Sequence, residues 1–108
     1  MNIKPVLGLV EPVRINGKNF LAKVDTGADI SSIDEKLANQ LNIVNVVGNM
    51  RFKNAHGSRI RQLIECNVDI HGRLIKTRFS MANRSQLKYK ILLGKNILEG
   101  FLIDVNKE

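Results

Sequence analysis

Residues 22–32, with the sequence AKVDTGADISS, combine side chains that could activate a water molecule. An apolar strand ending at Val24 would carry Asp25 into a turn, where Gly27 lacks a Cβ and lets backbone amides approach the carboxylate. The hydroxyl of Thr26 could fix that turn, and a carboxylate held there could act as a general base. Because Asp and Gly are common in turns, the tripeptide alone favours an ordinary strand end.

Other catalytic chemistries have weaker support in the sequence. Ser31 and Ser32 stand outside any G-x-S-x-G motif, and Cys66 falls in a strand of alternating pattern, where a small buried hydrophobe is expected. No H-E-x-x-H motif or phosphate-binding loop occurs, and a turn or hydrogen-bonding role is expected for His56 and His71. The sequence therefore predicts neither a metal site nor a cofactor.

The composition is that of one globular domain. The chain has 108 residues, of which 44% are hydrophobic and 25% charged. No apolar run approaches the roughly 20 residues of a membrane-spanning helix, and the first residues lack the apolar core of a signal peptide. A single cysteine excludes an internal disulfide. We therefore expect a cytoplasmic protein that does not bind membranes and is held together by burial.

The formal charge of +7 is concentrated in one part of the chain. Residues 51–90 contain ten basic and two acidic residues, a net charge of +8, which favours acidic partners at long range. Only five aromatic residues occur, too few for a surface that stacks bases, and no nucleic-acid-binding signature is recognisable. Nucleic acid is therefore not an expected partner.

Several hairpins are predicted to surround the Asp25 segment. Asn16 and Gly17 join two apolar strands, and both turn positions favour positive φ. The S-x-x-E spacing at 32–35 and the apolar residues after it predict a helix over 33–41. Turn residues at 54–58 and 71–72 predict two further hairpins. The expected later strands cover 50–53, 59–64, 65–70, 74–81, 91–93 and 101–105, with a helical turn over 95–99.

A weak internal repeat accompanies these hairpins. The pattern V-x-I-x-G-basic occurs at 13–18 and again at 68–73, each time where a strand meets a glycine turn. Hairpins resemble one another, so chance could produce this pattern. If it is genuine, the domain has two related halves, and only the first half carries a carboxylate in its turn.

Three features occur in order along the chain: the D-T-G-A-D run at 25–29, a flap-like hairpin with its tip at 54–58, and the run ILLGKNIL at 91–98. In these three features the sequence resembles the retropepsin-like aspartic peptidases. The resemblance spans about residues 6–105. It implies an all-β fold with one or two short helices, a closed barrel and a pseudo-twofold relation between the halves of a single domain, residues 1–108.

The resemblance also implies roles for individual residues. Lys95 stands where many members carry Arg, and it cannot make the two-pronged contact with a carboxylate such as Asp29. The implied residues are Asp25, Thr26 and Gly27 for catalysis; Ala28, Asp29, Ala55, His56 and Gly57 for substrate binding; and Gly94, Lys95 and Asn96 for support of the site.

Within this family the chain is most similar to a small microbial group called ATP-dependent zinc proteases, whose members occur beside RimK-type glutamate ligases. The shared features are the strand and turn at 22–28, the glycine hairpin followed by Arg61, the loop at 83–85, and the segments 93–96 and 102–105. Neither the zinc nor the ATP in that name has support in the residues of this sequence.

Aspartic proteolysis requires two carboxylates, one acting as base toward water and one as acid toward the scissile carbonyl; about 3 Å apart, they share one proton. This chain supplies one, because Asp29 follows in the same turn and Gly94 occupies the corresponding place in the second half. The resemblance therefore implies a homodimer that joins two copies of Asp25. Terminal strands at 3–7 and 102–105 are the expected interface elements, because edge strands invite pairing.

The sequence thus favours an aspartic endopeptidase that cleaves peptides or proteins. Acidic or polyglutamate segments are the suggested substrates, because residues 51–90 are basic and the similar microbial proteins accompany glutamate ligases. A solvated basic face is an equally good explanation of that charge. One alternative is a non-catalytic retropepsin-fold dimer that binds peptides or proteins, and a third hypothesis is a basic nucleic-acid-binding β domain.

Overall fold

Strands dominate the chain in the computed structural model, which describes residues 3–43 and 45–107. The all-β class predicted from the sequence, with two short helices, is confirmed. The elements are β1 (Val6–Leu7), β2 (Val10–Ile15), β3 (Lys18–Val24), β4 (Ser31–Asp34), α1 (Glu35–Gln40), β5 (Val46–Asn54), β6 (Gly57–Ile70), β7 (Arg73–Ala82), β8 (Ile91–Leu93), α2 (Lys95–Leu98) and β9 (Leu102–Ile103).

Six of these strands close into a barrel in the order β2-β3-β8-β4-β7-β6. The barrel closes where Arg14 of β2 pairs with Asp69 of β6. Strand β5 pairs only with the first part of β6, and the two form a hairpin that extends from the barrel. We call residues 46–62 of this hairpin the flap. The closed barrel implied by the sequence is therefore present.

Two hairpin turns have the backbone that their residues predict. Asn16 and Gly17 have φ angles of 49° and 78°, and His71 and Gly72 have angles of 53° and 77°. Two consecutive positive φ angles are the pattern of a type I′ turn, whose twist matches that of the strands it joins. Both copies of the V-x-I-x-G pattern therefore end a strand in the same kind of turn.

The core fills the inside of the barrel through the alternation of each strand. In β2, for example, Val13 and Ile15 are buried while Arg14 between them is exposed. This alternation is the period of two that pleated strands require. The largest fully buried apolar side chains are Leu7, Ile15, Ile33, Ile64, Ile70, Phe79, Ile91 and Leu93.

The predicted start of the first helix was wrong. Residues 31–34 form β4, which pairs with β7 on one side and β8 on the other and is buried throughout. The helix begins only at Glu35, and its N-cap residue Asp34 makes no side-chain cap. Instead, Asp34 Oδ1 accepts a hydrogen bond of 2.7 Å from the backbone N–H of Arg84. Pairing with two distant strands overrides the local capping pattern here.

Several strand predictions also had the wrong extent, including the strand predicted at 50–53, which runs from Val46 to Asn54. The strands predicted at 59–64 and 65–70 are one continuous strand, β6, which serves both the flap and the barrel. The last strand covers only Leu102–Ile103, and it pairs in parallel with β1, so that Val6 lies opposite Leu102. Within the described ranges, neither helix has the length and apolar character that crossing a bilayer requires.

Candidate active site

Asp25 lies immediately after β3, in a turn held by its own backbone and side chain. Its N–H donates to the carbonyl of Leu93 in the neighbouring strand β8 at 3.0 Å. Its Oδ1 accepts a hydrogen bond of 2.9 Å from the N–H of Gly27, where a Cβ would stand only 3.2 Å from that oxygen. The side chain is half-buried, and Oδ2 has no hydrogen-bond partner among the described residues. The turn thus fixes one carboxylate oxygen and leaves the other available.

The segment that follows β8 packs directly beneath this turn. Gly94 approaches so closely that an added Cβ would lie 2.7 Å from the carbonyl carbon of Ile30 and 2.9 Å from the carbonyl oxygen of Ala28. The N–H of Lys95 donates to the same Ala28 oxygen at 2.8 Å. Since the nearby atoms are backbone, only glycine fits at position 94 without displacing the turn.

A partly buried network of polar groups joins the two segments. Ser31 donates from both its N–H and its hydroxyl to Asn96 Oδ1, each at 2.8 Å, and its Oγ accepts from the N–H of Gly94 at 2.9 Å. Asn96 Nδ2 in turn donates to Thr77 Oγ1 and to the carbonyl of Arg78. Gly94 and Asn96 thus contact the segment that follows the Asp25 turn, but their role in supporting the site stays a prediction, and the part of Ser31 was not predicted.

Within one chain, Lys95 and Asp29 form only a weak ion pair. Lys95 Nζ lies 3.5 Å from Asp29 Oδ1, and the side chains are 61% and 86% exposed. Such an exposed pair is expected to contribute at most about 1 kcal/mol. The site turn is therefore held mainly by backbone hydrogen bonds and by the Ser31–Asn96 network.

A cleft of about 450 Å³ opens beside the turn. Residues 27–30, here called the floor, line it together with residues 50–53 of the flap. Ser32, Arg61 and Arg84 are among the barrel, flap and loop residues that complete the wall. Of the predicted site residues, Gly27, Ala28 and Asp29 therefore contact one cleft, and an extended peptide could lie along it.

The flap tip does not reach this cleft. Ala55, His56 and Gly57 are all exposed at the end of the β5–β6 hairpin, outside the lining of the cleft. Asn54 Oδ1 accepts from the N–H of His56 at 2.8 Å, and Gly57 has a φ of 124°. The proposed contact of these three tip residues with substrate stays a prediction.

The cleft is strongly basic. Arg51, Lys53, Arg61 and Arg84 line it, and Asp29 is the one acidic residue among its lining residues. Burial and the positive charge of Arg61 lower the pKa of Arg84, and the carboxylates of Asp34 and Asp25 only partly offset this effect. The guanidinium of Arg84 thus lies in a partly desolvated, electropositive environment near Asp25. The sequence placed Arg84 in the basic segment 51–90 and in a loop shared with the microbial group, but predicted no individual role for it.

The described residues offer no cluster of side chains that could hold a metal ion. Among residues 3–43 and 45–107, no three His, Cys, Asp or Glu side chains are grouped so that they could hold a metal ion. His71 Nε2 lies 2.7 Å from Glu11 Oε1, away from the cleft. Burial, with a further contribution from the charge of Glu65, raises the pKa of the Cys66 thiol to about 11. The described residues therefore do not suit the zinc named in the similar microbial group.

The sequence of the chain matches a family model over residues 12–100, described as "gag-polyprotein putative aspartyl protease". This match covers most of the barrel and both segments of the candidate site. The chain therefore belongs to the gag-polyprotein aspartyl protease family. No curated protein matches the chain in sequence.

Solved structures share the fold. The EIAV protease complexed with the inhibitor HBY-793 is 24% identical, with a TM-score of 0.68, over 92% of this chain and 88% of that one. The simian foamy virus (mac) protease is 20% identical, with a TM-score of 0.66, over 83% and 91%. Lpg0085 from Legionella pneumophila, a protein of unknown function, is 16% identical, with a TM-score of 0.65, over 93% and 92%. These likenesses confirm the retropepsin-like barrel.

Proposed function

We propose that the protein is an aspartic endopeptidase whose active site forms between two copies of the chain. The observation that carries this proposal is the position of Asp25, which is fixed by the Gly27 amide and the Leu93 carbonyl and directly precedes the turn residues 27–30 that line the cleft. One chain provides one such carboxylate, and Gly94 occupies the related place after β8. A second copy is therefore required for acid–base catalysis.

In the proposed dimer, the two Asp25 carboxyl groups share a single proton, because like charges about 3 Å apart cannot both ionise. The ionised group takes a proton from water, whose oxygen attacks the peptide carbonyl carbon. The protonated group donates to the carbonyl oxygen. The tetrahedral intermediate then breaks its C–N bond, the amine receives the proton taken from water, and the other carboxyl recovers its own. Thr26 and Gly27 would support the pair.

Exposed apolar side chains near the termini support a second copy as the partner. Val6 and Leu102 lie opposite each other in the β1–β9 pair and are 40% and 55% exposed. Leu9 is 53% exposed, and its carbonyl accepts a hydrogen bond from the N–H of Val24, next to Asp25. The two-stranded β1–β9 sheet also has edges that further strands can join. A partner docked on this region would lie close to the candidate site.

The charge of the cleft supports acidic or polyglutamate segments as substrates. Four basic side chains line the cleft beside a single carboxylate, so a chain of like negative charges would be attracted to it. The resemblance to microbial proteins that occur with RimK-type glutamate ligases points to the same chemistry. We therefore also propose that this protein belongs to that microbial group.

Replacement of the candidate catalytic residue tests the function. The wild-type protein and Asp25→Asn are incubated with casein and with poly-glutamate between pH 4 and pH 8, and new amino termini are quantified. We expect the variant to lose at least about 100-fold in rate, because the remaining amide cannot accept a proton. Glu35→Gln, an exposed carboxylate outside the cleft, is the control for the change of charge.

Three outcomes would contradict the proposal. Equal rates for wild-type protein and Asp25→Asn would exclude Asp25 from catalysis. Inert proteins that both bind peptide would favour the non-catalytic dimer. Sedimentation at micromolar concentrations should show a dimer, and a monomer at every concentration would leave Asp25 without its partner.

A further inference from the structure

One buried hydroxyl in the cleft wall lacks a partner. Ser32 is 6% exposed, and its Oγ makes no hydrogen bond to any part of the chain that the structure describes. A buried polar atom without a partner costs free energy, so its position calls for a ligand or another explanation. Ser32 lies on β4 between Ser80 of β7 and Leu92 of β8, and all three residues line the cleft.

An arginine is fixed in the same wall. Arg84 Nε donates to the carbonyl of Tyr89 at 3.0 Å, and its backbone N–H donates to Asp34 at 2.7 Å. The loop that carries it is closed by Lys90, whose Nζ donates to the carbonyls of Arg84, Ser85 and Leu87 at 2.8–3.0 Å. Within the described residues, neither terminal nitrogen of the Arg84 guanidinium has a hydrogen-bond partner. The guanidinium is therefore positioned, and its two terminal nitrogens remain free to donate.

A second arginine reaches the cleft from the flap. The guanidinium carbon of Arg61 lies 4.4 Å from the centre of the Phe52 ring, an arrangement that orients the cation. Both Arg61 and Phe52 line the cleft with Arg84. The positive charge of Arg61 also contributes, after burial, to the lowered pKa of Arg84, in keeping with their shared place in the cleft lining.

We infer that Ser32, Arg61 and Arg84 form a subsite that binds the side-chain carboxylate of a glutamate or aspartate in the substrate. The fork of an arginine matches the two oxygens of a carboxylate, and a serine hydroxyl can donate to the same group. An anion between the arginines would relieve their repulsion. This inference rests on the proposed function, because it takes the substrate to be a peptide. It adds which residues of the protein select a side chain of that peptide.

The location of the subsite predicts where selection acts. The cleft floor at 27–30 directly follows Asp25, so a peptide along that floor would place one side chain near Ser32 and Arg84. The preference should therefore fall on one position of the peptide, close to the bond that is cleaved. A diffuse attraction by the whole basic surface would instead act on every position.

Binding to an inactive variant isolates this preference from cleavage. Full-length Asp25→Asn is titrated into fluorescein-labelled octapeptides with amidated C-termini, each of which carries one glutamate at a different position in a background of glutamine and alanine. We expect one position to bind about tenfold more tightly with glutamate than with glutamine. A glutamine peptide with a free C-terminus tests whether a terminal carboxylate can take the same place.

Substitutions in the wall then assign the preference to its residues. Arg84→Gln should abolish the glutamate preference, Arg84→Lys should keep part of it, and Ser32→Ala should weaken it. Arg14→Gln removes the same charge from an exposed residue outside the cleft and should leave the preference unchanged. Thermal melting checks that each variant is folded, and Ser32→Ala removes only a hydroxyl that has no partner among the described residues.

Three results would overturn the inference: no position with a glutamate preference, stronger binding through the free C-terminus than through any side chain, or an unchanged preference in both Arg84→Gln and Ser32→Ala. These results leave the proposed function open to its own test. Conversely, a localised glutamate preference in a protein that cleaves no peptide would support the subsite and contradict the endopeptidase.

Discussion

At the residue scale, a single glycine joins the two motifs of the site. The position of Gly94 leaves no room for a methyl group, because the backbone of Ile30 and Ala28 lies within 2.9 Å of where a Cβ would be. The tight contact explains why the L-G-K-N segment and the D-T-G turn occur together in this sequence. The geometry of Asp25 thus depends on a residue almost 70 positions further along the chain.

Gly94→Ala is therefore expected to destabilise the protein and disturb the site turn. Overpacking against backbone atoms should lower the free energy of unfolding by about 1–3 kcal/mol, measured by urea denaturation. Gly48→Ala is the matched control, because a Cβ at position 48 meets nothing within 4 Å. Equal stability of Gly94→Ala and Gly48→Ala would show that the turn can move away at no cost.

Cys66 supplies a second prediction at this scale. With its pKa raised to about 11 by burial and the charge of Glu65, the thiol should carry almost no thiolate at pH 8. We expect iodoacetamide to modify it at least about 100-fold more slowly in the folded protein than in guanidinium chloride, followed by mass spectrometry. Similar rates in both states would mean that Cys66 is accessible and ionises normally.

At the element scale, one carboxylate joins strand β2 to three other parts of the chain. Glu11 is only 4% exposed, and it accepts hydrogen bonds from the Gly8 N–H at 2.6 Å and from Lys107 Nζ at 3.1 Å, while His71 Nε2 lies 2.7 Å away. Burial by itself raises the pKa of Glu11, but these partners outweigh burial and lower it. The carboxylate therefore stabilises the fold in its ionised form.

The lowered pKa sets the sign of a pH dependence. Stability from Glu11 is fully present above the ordinary pKa of a glutamate, about 4.5, and is lost as the pH falls through the lower value of the folded state. Glu11→Gln should cost about 1–3 kcal/mol at pH 7, and the difference from wild type should shrink below about pH 4. Urea denaturation at several pH values measures it.

Exposed Glu99 is the control for this prediction, because Glu99→Gln removes the same charge from the surface. A constant difference between wild type and Glu11→Gln at every pH would mean that the charge of Glu11 does not matter.

Prediction from the sequence succeeded where an element is decided locally. The turns at Asn16 and His71 follow from residues that tolerate positive φ beside glycine. The barrel was predicted by the family resemblance that the D-T-G and L-G-K-N motifs carry, whereas the roles assigned to the site residues stay predictions. Strand β4 could not be predicted, because its pairing with two distant strands outweighs a local helix-capping pattern. The roles of Ser31 and Arg84 could not be predicted for the same reason. Ser31 is bonded to Asn96, and Arg84 to Asp34, both of which are distant in the sequence.

At the scale of the whole molecule, the proposed mechanism requires both copies of Asp25 at once. Two copies joined by a flexible linker into one polypeptide test this requirement directly. Asp25→Asn in only one copy should reduce peptidase activity at least about 100-fold, because the remaining carboxylate lacks its acidic partner. A linked pair with Glu99→Gln in one copy is the control, and half of the full activity with Asp25→Asn would mean that each copy works alone.

Strand β6 gives the cleft an unusual mechanical property. Its residues 57–62 are largely exposed, whereas Leu63 and Ile64 are buried in the barrel, and no break separates the two parts. At about 3.3 Å per residue, the part of β6 outside the barrel, which pairs only with β5, projects roughly 20 Å from Leu63. Widening the entrance of the cleft must therefore bend the continuous strand β6 where it leaves the barrel. Substitutions that repack the core around Leu63 and Ile64 should change how readily a bulky polypeptide enters the cleft, even though these two residues do not line it.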